Sequence, residues 1–334
     1  MGKYICIFIG ILLFVTGTVY AAWYIITPPE INSATPPTTA TPTPHPALIL
    51  SDKKIYEPPQ FLDTSSVPFE IYSKAGVALD LTTNQVFWAK DAYSPHFIAS
   101  LTKIMTAVIA LELSRPYENF TVPYQATQVG EASMYLVEGE KYTLEELLYG
   151  LMLLSANDAA ETIAIGTTGR SQLFTQYMNQ KASLLKLQST RFVNPSGLDE
   201  DLDSSEAFLP GRVYQGKTGS TSSAHDLVVL TKYALDNYPL LSEIVSSQYK
   251  ILGASTSHAA KTLYNVMDLV RYYPGIAGVK SGNSNLAGLT VVELARKNGH
   301  EVLIVLLNSP SPRQEVVDLL DYSFSQISKK EIAP

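Results

Sequence analysis

The chain has 334 residues, of which 46% are hydrophobic and 16% charged, so it is long enough to bury one substantial core or two. Its formal net charge of −7 and its lack of a Lys/Arg-rich block argue against a nucleic-acid partner. The five histidines are scattered, and the single cysteine, Cys6, excludes an internal disulfide and a thiolate metal site. We therefore expect no metal and no other cofactor.

The first apolar run covers residues 4–26 without a charge, with Lys3 before it and no further charge until Glu30. This length matches the ~20 residues that a helix needs to cross a bilayer, and the charge pattern places the rest of the chain outside the cytoplasm. The sequence therefore predicts a transmembrane anchor over 1–27, in the cell membrane, with an extracytoplasmic domain. A signal peptide cleaved near Val19-Tyr20-Ala21 is the alternative and would leave a secreted or periplasmic protein.

A linker and a folded domain are expected to follow. Residues 28–46 are nearly all Pro, Thr, Ala and Ser, a composition that cannot bury enough apolar surface to fold. Residues 47–66 are mixed in character, and a regular hydrophobic pattern begins only near Lys74. We assign 28–66 to a Pro/Thr-rich linker and 67–328 to the folded domain.

Alternating hydrophobic residues mark both ends of this domain. Near its start, residues 77–81 alternate with smaller or polar neighbours, and the turn Thr82-Thr83-Asn84 predicts a hairpin. Near its end, residues 286–295 and 301–307 are rich in β-forming side chains, and the Asn298-Gly299 pair between them predicts a second hairpin.

The middle of the domain has helical patterns, one of which begins at a capping box, Thr143 to Glu146. In chain order these patterns cover residues 100–111, 144–154, 171–187, 224–235 and 313–327. Hairpins at both ends with helices between and after them predict an α+β fold. We expect an antiparallel β-sheet flanked by helices, together with a mostly helical subdomain.

A serine and a lysine three residues apart, Ser100 and Lys103, open the first of these helical patterns. At that spacing the amine can approach the hydroxyl, and it can activate the serine as a nucleophile if burial or a second cation lowers the pKa of the lysine. The same tetrad occurs at Ser51 to Lys54 and at Ser183 to Lys186, so it is weak evidence alone.

The second candidate element is Ser155-Ala156-Asn157, which interrupts two apolar helical stretches. An ordinary helix break, in which the Ser and Asn side chains cap the backbone, explains this pattern as well as a functional role does. The sequence alone leaves both interpretations open.

Two lysine motifs compete as the third element. Residues 211–218 match the phosphate-loop pattern, but no strand precedes them and no helix follows, so we reject nucleotide binding. Within that match, Lys217-Thr218-Gly219 lies in an irregular polar stretch, and we interpret Lys217 as a solvated loop residue. Lys280-Ser281-Gly282 directly precedes a β-rich run, and its glycine permits close backbone approach, so we select it as the functional motif.

In this order, Ser100-x-x-Lys103, Ser155-x-Asn157 and Lys280-Ser281-Gly282 resemble the signatures of the penicillin-recognising serine acyl-enzymes. More closely, residues 70–325 resemble the low-molecular-mass penicillin-binding D-alanyl-D-alanine carboxypeptidases. The similarity extends to Ala132–Leu136 and to Asn194–Leu198.

The resemblance implies that Ser100 is acylated by the penultimate D-Ala of a peptidoglycan stem peptide, with Lys103 as general base and Ser155 as proton relay. It implies that Asn157, Lys280, Ser281, Gly282 and Asn283 bind substrate, with the N–H groups of Ser100 and Asn283 as the oxyanion hole. β-Lactams would acylate Ser100 as covalent inhibitors. The family usually has Thr at position 281 and His-Thr at 283–284, and segment 199–222 is longer than expected, so we hypothesise that it overhangs the cleft.

Three rival functions remain. A β-lactamase of the same fold would need a second carboxylate in a Glu-x-x-Leu-Asn setting, which is missing from the sequence between the second and third motifs. A D,D-endopeptidase would use the same residues. A non-enzymatic wall-binding module would not need them intact. The arginine that binds the substrate carboxylate is unassigned: Arg313 is the nearest candidate, but we interpret it as an ordinary residue at a helix start.

Overall fold

The computed structural model describes residues 53–64, 67–201 and 216–332. The predicted anchor over 1–27 and the Pro/Thr-rich stretch after it lie outside the described residues, as does most of segment 199–222. Across the described ranges, no helix is long and apolar enough to span a bilayer.

The strands, in chain order, are β1 (Ala75–Asp80), β2 (Gln85–Lys90), β3 (His96–Phe97), β4 (Asn119–Thr121), β5 (Lys141–Thr143), β6 (Glu200–Asp201), β7 (Lys217–Thr218), β8 (Thr221–Ser222), β9 (Tyr249–Leu252), β10 (Lys261–Tyr264), β11 (Ile276–Ser284), β12 (Gly288–Lys297) and β13 (His300–Ser309).

The helices are α1 (Lys103–Leu113), α2 (Tyr124–Thr127), α3 (Leu144–Leu153), α4 (Asn157–Thr168), α5 (Ser171–Leu184), α6 (Ala224–Asn237), α7 (Pro239–Ser246), α8 (Leu269–Tyr272) and α9 (Pro312–Ile332). A 3₁₀ turn, Ala99–Thr102, precedes α1.

Five antiparallel strands form the central sheet in the order β11-β12-β13-β1-β2. The first hairpin therefore pairs with the last strand, with Val77 opposite Val305, so both ends of the domain build one sheet. Asn298 and Gly299 both have positive φ, 54° and 81°, as a two-residue hairpin turn between β12 and β13 requires. The predicted α+β fold with an antiparallel sheet is confirmed.

Side chains alternate along a strand, so each strand contributes to both faces of the sheet, and both faces are buried. On one face, α9 packs Val316, Leu319 and Leu320 against Ile304 and Leu306 of β13. On the other, Val305 and Leu307 belong to a larger core that includes the helical region. In that region α1 is buried from Lys103 to Ala110, so the helix that follows Ser100 is central to the domain.

The predicted capping box is present at the start of α3. The Glu146 N–H donates to Thr143 Oγ1 at 3.2 Å, and the Thr143 N–H donates to Glu146 Oε2 at 2.8 Å. Two backbone donors that a helix start leaves without partners are thereby satisfied. This fixes the start of the helix that leads to Ser155.

Part of the segment assigned to the linker packs on the domain. Phe61 is only 4% exposed and joins the core around α1. The Thr64 N–H donates to the Ala89 carbonyl at 2.9 Å, and Lys53 Nζ lies 3.4 Å from Glu112 Oε1. Residues 53–64 therefore contribute to the folded unit.

Candidate active site

Ser100 lies on the 3₁₀ turn before α1, whereas the sequence pattern placed it at the start of the helix itself. The preceding residue, Ala99, has a φ of 46°, a left-handed conformation that is strained for a residue with a Cβ. Lys103 is the first residue of α1, and its Nζ lies 3.1 Å from Ser100 Oγ. The tighter turn therefore keeps the predicted pair within hydrogen-bond distance.

The amine of Lys103 is fully buried and has two further partners. It lies 2.7 Å from Asn157 Oδ1 and 2.6 Å from the Ser196 carbonyl oxygen. Burial and, secondly, the positive charge of Lys280 hold the pKa of Lys103 well below its usual range. A lowered pKa makes the amine of Lys103 easier to deprotonate than that of an ordinary lysine, which is the direction a proton acceptor requires.

The break between α3 and α4 positions Ser155 and Asn157. Ser155 has a φ of 60°, and α4 begins at Asn157 without a side-chain cap. The Asn157 side chain instead accepts from Lys103 and donates from Nδ2 to the Gly130 carbonyl at 2.9 Å. The sequence left open whether the Asn157 side chain caps the helix backbone. In the structure it makes no such cap and binds Lys103 and Gly130 instead.

Lys280 to Asn283 lie on β11, the strand at the edge of the central sheet. Lys280 is fully buried, its Nζ donates to the Ser281 carbonyl at 2.7 Å, and burial lowers its pKa to about 7. Gly282 faces the 3₁₀ turn that carries Ser100, because a Cβ built there would lie 3.0 Å from both the Ile98 carbonyl oxygen and the Ser100 nitrogen. The strand can approach Ser100 this closely only with glycine at that position.

Six of the eight predicted site residues line one cavity of about 440 Å³: Ser100, Ser155, Asn157, Ser281, Gly282 and Asn283. The other two, Lys103 and Lys280, are buried next to it and reach it through the contacts given above. The three motifs, far apart in the chain, therefore meet in one cleft.

The competing lysine lies elsewhere. Lys217 is on the short strand β7, where its Nζ lies 3.3 Å from Asp201 and its side chain is 44% exposed. It does not line the cleft. At the start of segment 199–222, Asp199 accepts hydrogen bonds from Ser284 Oγ at 2.9 Å and from the Leu286 N–H at 3.0 Å. The hypothesis that the segment overhangs the cleft concerns residues largely outside the described ones.

Several groups in the site were not found from the sequence. The carbonyls of Ser196 and Gly130 are backbone atoms and leave no side-chain signal. Arg313, named as the nearest candidate but interpreted as an ordinary helix-start residue, lines the same cavity as Ser100, and its Nε lies 2.8 Å from Asp268 Oδ2. Glu293 also lines the cavity, and its only signal is an acid flanked by the apolar residues Val292 and Leu294 on β12.

The model of the D-alanyl-D-alanine carboxypeptidase family, peptidase family S11, matches residues 62–311. The chain belongs to this family. The resemblance inferred from the three motifs is thereby confirmed, and the family's fold agrees with the sheet and helices described above.

Individual relatives are distant but match over most of this chain. D-alanyl-D-alanine carboxypeptidase DacF of Bacillus subtilis is 28% identical over 262 residues, which are 76% of this chain and 62% of DacF. The D-alanyl-D-alanine endopeptidase of Escherichia coli is 29% identical over 250 residues, 74% of each chain. The solved structure of a D-alanyl-D-alanine carboxypeptidase from Mycobacterium tuberculosis superposes with a TM-score of 0.68 at 28% identity, covering 80% of this chain and 96% of that one.

In this family member, Asp158 stabilises the segment that follows the cavity residues Glu131 and Ala132. Its buried carboxylate accepts from Ser133 Oγ at 2.6 Å and from the N–H groups of Met134 and Leu136 at 3.0 Å each. We expect Asp158→Ala to lower the free energy of unfolding by about 2–4 kcal/mol, because several buried donors lose their acceptor. Urea denaturation would measure this. Asp236→Ala, which removes an exposed pair with Lys232, should cost below about 1 kcal/mol, and equal losses would contradict this role of Asp158.

The buried Lys280 should make stability depend on pH. Its pKa is about 7 in the folded protein against an ordinary value of 10.5, so between these values the unfolded chain binds more protons. The free energy of unfolding should then rise with pH from about 7, by at most about 1.4 kcal/mol per pH unit from this group. We expect Lys280→Met to flatten the rise, measured by urea denaturation at pH 7, 8 and 9. A variant curve parallel to that of the wild type would contradict the burial of a titrating amine.

Proposed function

We propose that this chain is a serine D-alanyl-D-alanine carboxypeptidase that removes the terminal D-Ala from peptidoglycan stem peptides through an acyl-enzyme on Ser100. Family membership supports the reaction class, and the geometry around Lys103 supports the assignment of Ser100 as nucleophile. The chain matches 62% of the length of DacF.

The contacts of Lys103 carry the proposal. A neutral amine has two N–H donors and one lone pair. Asn157 Oδ1 and the Ser196 carbonyl, at 2.7 and 2.6 Å, take the two donors, which leaves the lone pair for Ser100 Oγ at 3.1 Å. In this state the Ser100 hydroxyl donates to Lys103, as a general base requires.

Acylation then follows from the placement of these groups. Ser100 Oγ attacks the carbonyl of the penultimate D-Ala and transfers its proton to Lys103. The N–H groups of Ser100 and Asn283 stabilise the oxyanion, and the close approach of Gly282 to the Ser100 nitrogen supports this pairing. Ser155 relays the proton to the leaving amine, the C–N bond breaks, and D-Ala leaves with that proton.

Binding of the terminal carboxylate is assigned to Lys280, Ser281 and Arg313. Ser281 and Arg313 line the cleft with Ser100, and Lys280 is the buried residue next to Ser281 on β11. A carboxylate beside Lys280 favours its charged form and counteracts the effect of burial. Water, activated by Lys103, then hydrolyses the ester. β-Lactams would acylate the same Ser100 hydroxyl through opening of their ring and so act as covalent inhibitors.

The location proposed for this activity is the extracytoplasmic face of the cell membrane. The apolar run at residues 4–26 supports it, with Lys3 as the only charge before Glu30. Peptidoglycan lies on that side of the membrane, so a tethered domain would act next to its substrate.

A D,D-endopeptidase activity is the second candidate, because the Escherichia coli endopeptidase is as similar to this chain as DacF is. The test is to incubate the full chain separately with a pentapeptide ending in D-Ala-D-Ala, a cross-linked peptide dimer and benzylpenicillin. We expect release of D-Ala with slow penicillin turnover. Faster cleavage of the dimer would favour the endopeptidase, and rapid penicillin turnover would favour a β-lactamase.

A further inference from the structure

One part of the catalytic cavity is not used by the mechanism above. We name the Glu293 recess as the region lined by Met267, Leu269, Val291, Glu293 and Val316, in the same cavity as Ser100. Four of these side chains are apolar, and all four belong to the hydrophobic core under α9. The fifth is a carboxylic acid.

The carboxyl of Glu293 is buried and lacks a protein partner at one oxygen. The residue is 1% exposed, and Oε1 has no hydrogen bond within the described part of the chain. Burial, with a smaller contribution from the charge of Asp268, raises the pKa of Glu293 well above its usual range. An unpaired buried acid is unfavourable for stability, so an incoming group that pairs with it gains affinity from a site that is already desolvated.

The position of the recess identifies the part of the substrate that can reach it. Arg313, assigned above to the terminal carboxylate, lines the cavity beside Val316 and Glu293. The terminal residue of the substrate, which leaves in the reaction, is therefore the part nearest to the recess. This step depends on the proposed function.

Charge identifies the class of ligand. Asp268 also lines the cavity and is paired with Arg313 through Nε at 2.8 Å. When the substrate carboxylate engages Arg313, Asp268 and Glu293 remain as two acids on this side of the cleft. A cationic side chain complements them, whereas an apolar one leaves Glu293 without a partner.

We propose that the Glu293 recess binds the side chain of the leaving D-amino acid when that side chain carries a primary amine, as in a D-diamino acid. The protein would then release D-diamino acids from the C-terminus of stem peptides in addition to D-Ala. On binding, the ammonium donates to the Glu293 carboxylate, and the proton of the acid passes to solvent.

The test compares three acylated tripeptide substrates that end in D-Ala-D-Lys, D-Ala-D-norleucine and D-Ala-D-Ala, with the full chain as enzyme. D-Norleucine is D-Lys without its amine, so the ratio of kcat/KM for these two isolates the contribution of the amine. We expect a ratio of about 10 or more for the wild type, the size expected of a hydrogen bond to a charged group, and a ratio near 1 for Glu293→Gln. Glu301→Gln, on β13 and outside the cleft, is the matched control and should keep the wild-type ratio.

Glu293→Leu gives a second test, because it replaces the acid by an apolar side chain of similar volume. We expect it to fold, to melt at or above the wild-type temperature, and to lose the preference for D-Lys. A wild-type ratio near 1 with normal release of D-Ala would overturn the recess proposal and leave the proposed function intact, as would a ratio that survives Glu293→Gln. Release from none of the three substrates would overturn the proposed function itself.

Discussion

Replacing Lys103 by Met is expected to lower kcat/KM for D-Ala release by about 10³-fold, because the variant keeps the shape of the buried side chain and loses the proton acceptor for Ser100. Met has no nitrogen to accept the proton of Ser100 Oγ, which lies 3.1 Å from Lys103 Nζ in the wild type. It also leaves Asn157 Oδ1 and the Ser196 carbonyl without their donor. Initial rates with the pentapeptide, together with a thermal melt, would measure the effect on folded enzyme.

Lys181→Met is the matched control, since Lys181 is also a fully buried lysine but pairs with Glu112 at 2.6 Å, away from the cleft. It should lower the free energy of unfolding by about 1–3 kcal/mol, because Glu112 loses a charged partner, while leaving kcat/KM near the wild-type value. If the two variants lost activity to a similar degree, burial of an amine rather than base catalysis would explain the Lys103 result.

Gly282→Ala is expected to lower the rate of acylation by at least about 10²-fold, because the added methyl forces β11 away from the 3₁₀ turn that carries Ser100. A Cβ at this position meets Thr290 Oγ1 at 2.6 Å and the Ser100 nitrogen at 3.0 Å. Displacements of about 1 Å at a reacting centre cost roughly this much. The rate of labelling by a fluorescent penicillin under single-turnover conditions would report the acylation step directly.

Gly253→Ala provides the control for the extra methyl group, since nothing lies within 4 Å of a Cβ built there. It should acylate at the wild-type rate. Wild-type acylation in Gly282→Ala would mean that β11 and Ser100 are farther apart than described, and that the oxyanion hole is formed by other donors.

Local chemistry made the main elements predictable. The capping box of Thr143 and Glu146 depends only on residues close in sequence, and so does the left-handed turn at Asn298-Gly299. The local sequence pattern is therefore sufficient to predict this helix start and this hairpin turn. Strand context also selected Lys280 over Lys217, and the structure places Lys280 on β11 behind the cleft.

The groups that the sequence did not assign to the site depend on tertiary placement. The Ser196 carbonyl acts through its position 2.6 Å from Lys103, and any residue type supplies a carbonyl. Arg313 and Glu293 reach the cleft from the start of α9 and from β12, and no spacing in the chain connects them with Ser100. The 3₁₀ turn that carries Ser100 packs against β11, a contact that the local pattern does not specify.

Covalent labelling by a fluorescent penicillin, followed by mass spectrometry of the labelled peptide, tests whether Ser100 is the nucleophile. We expect one adduct per chain, on the peptide that contains Ser100 and Lys103, and no adduct in Ser100→Ala. An adduct on any other residue, or labelling that persists in Ser100→Ala, would contradict the assignment of Ser100 as the nucleophile.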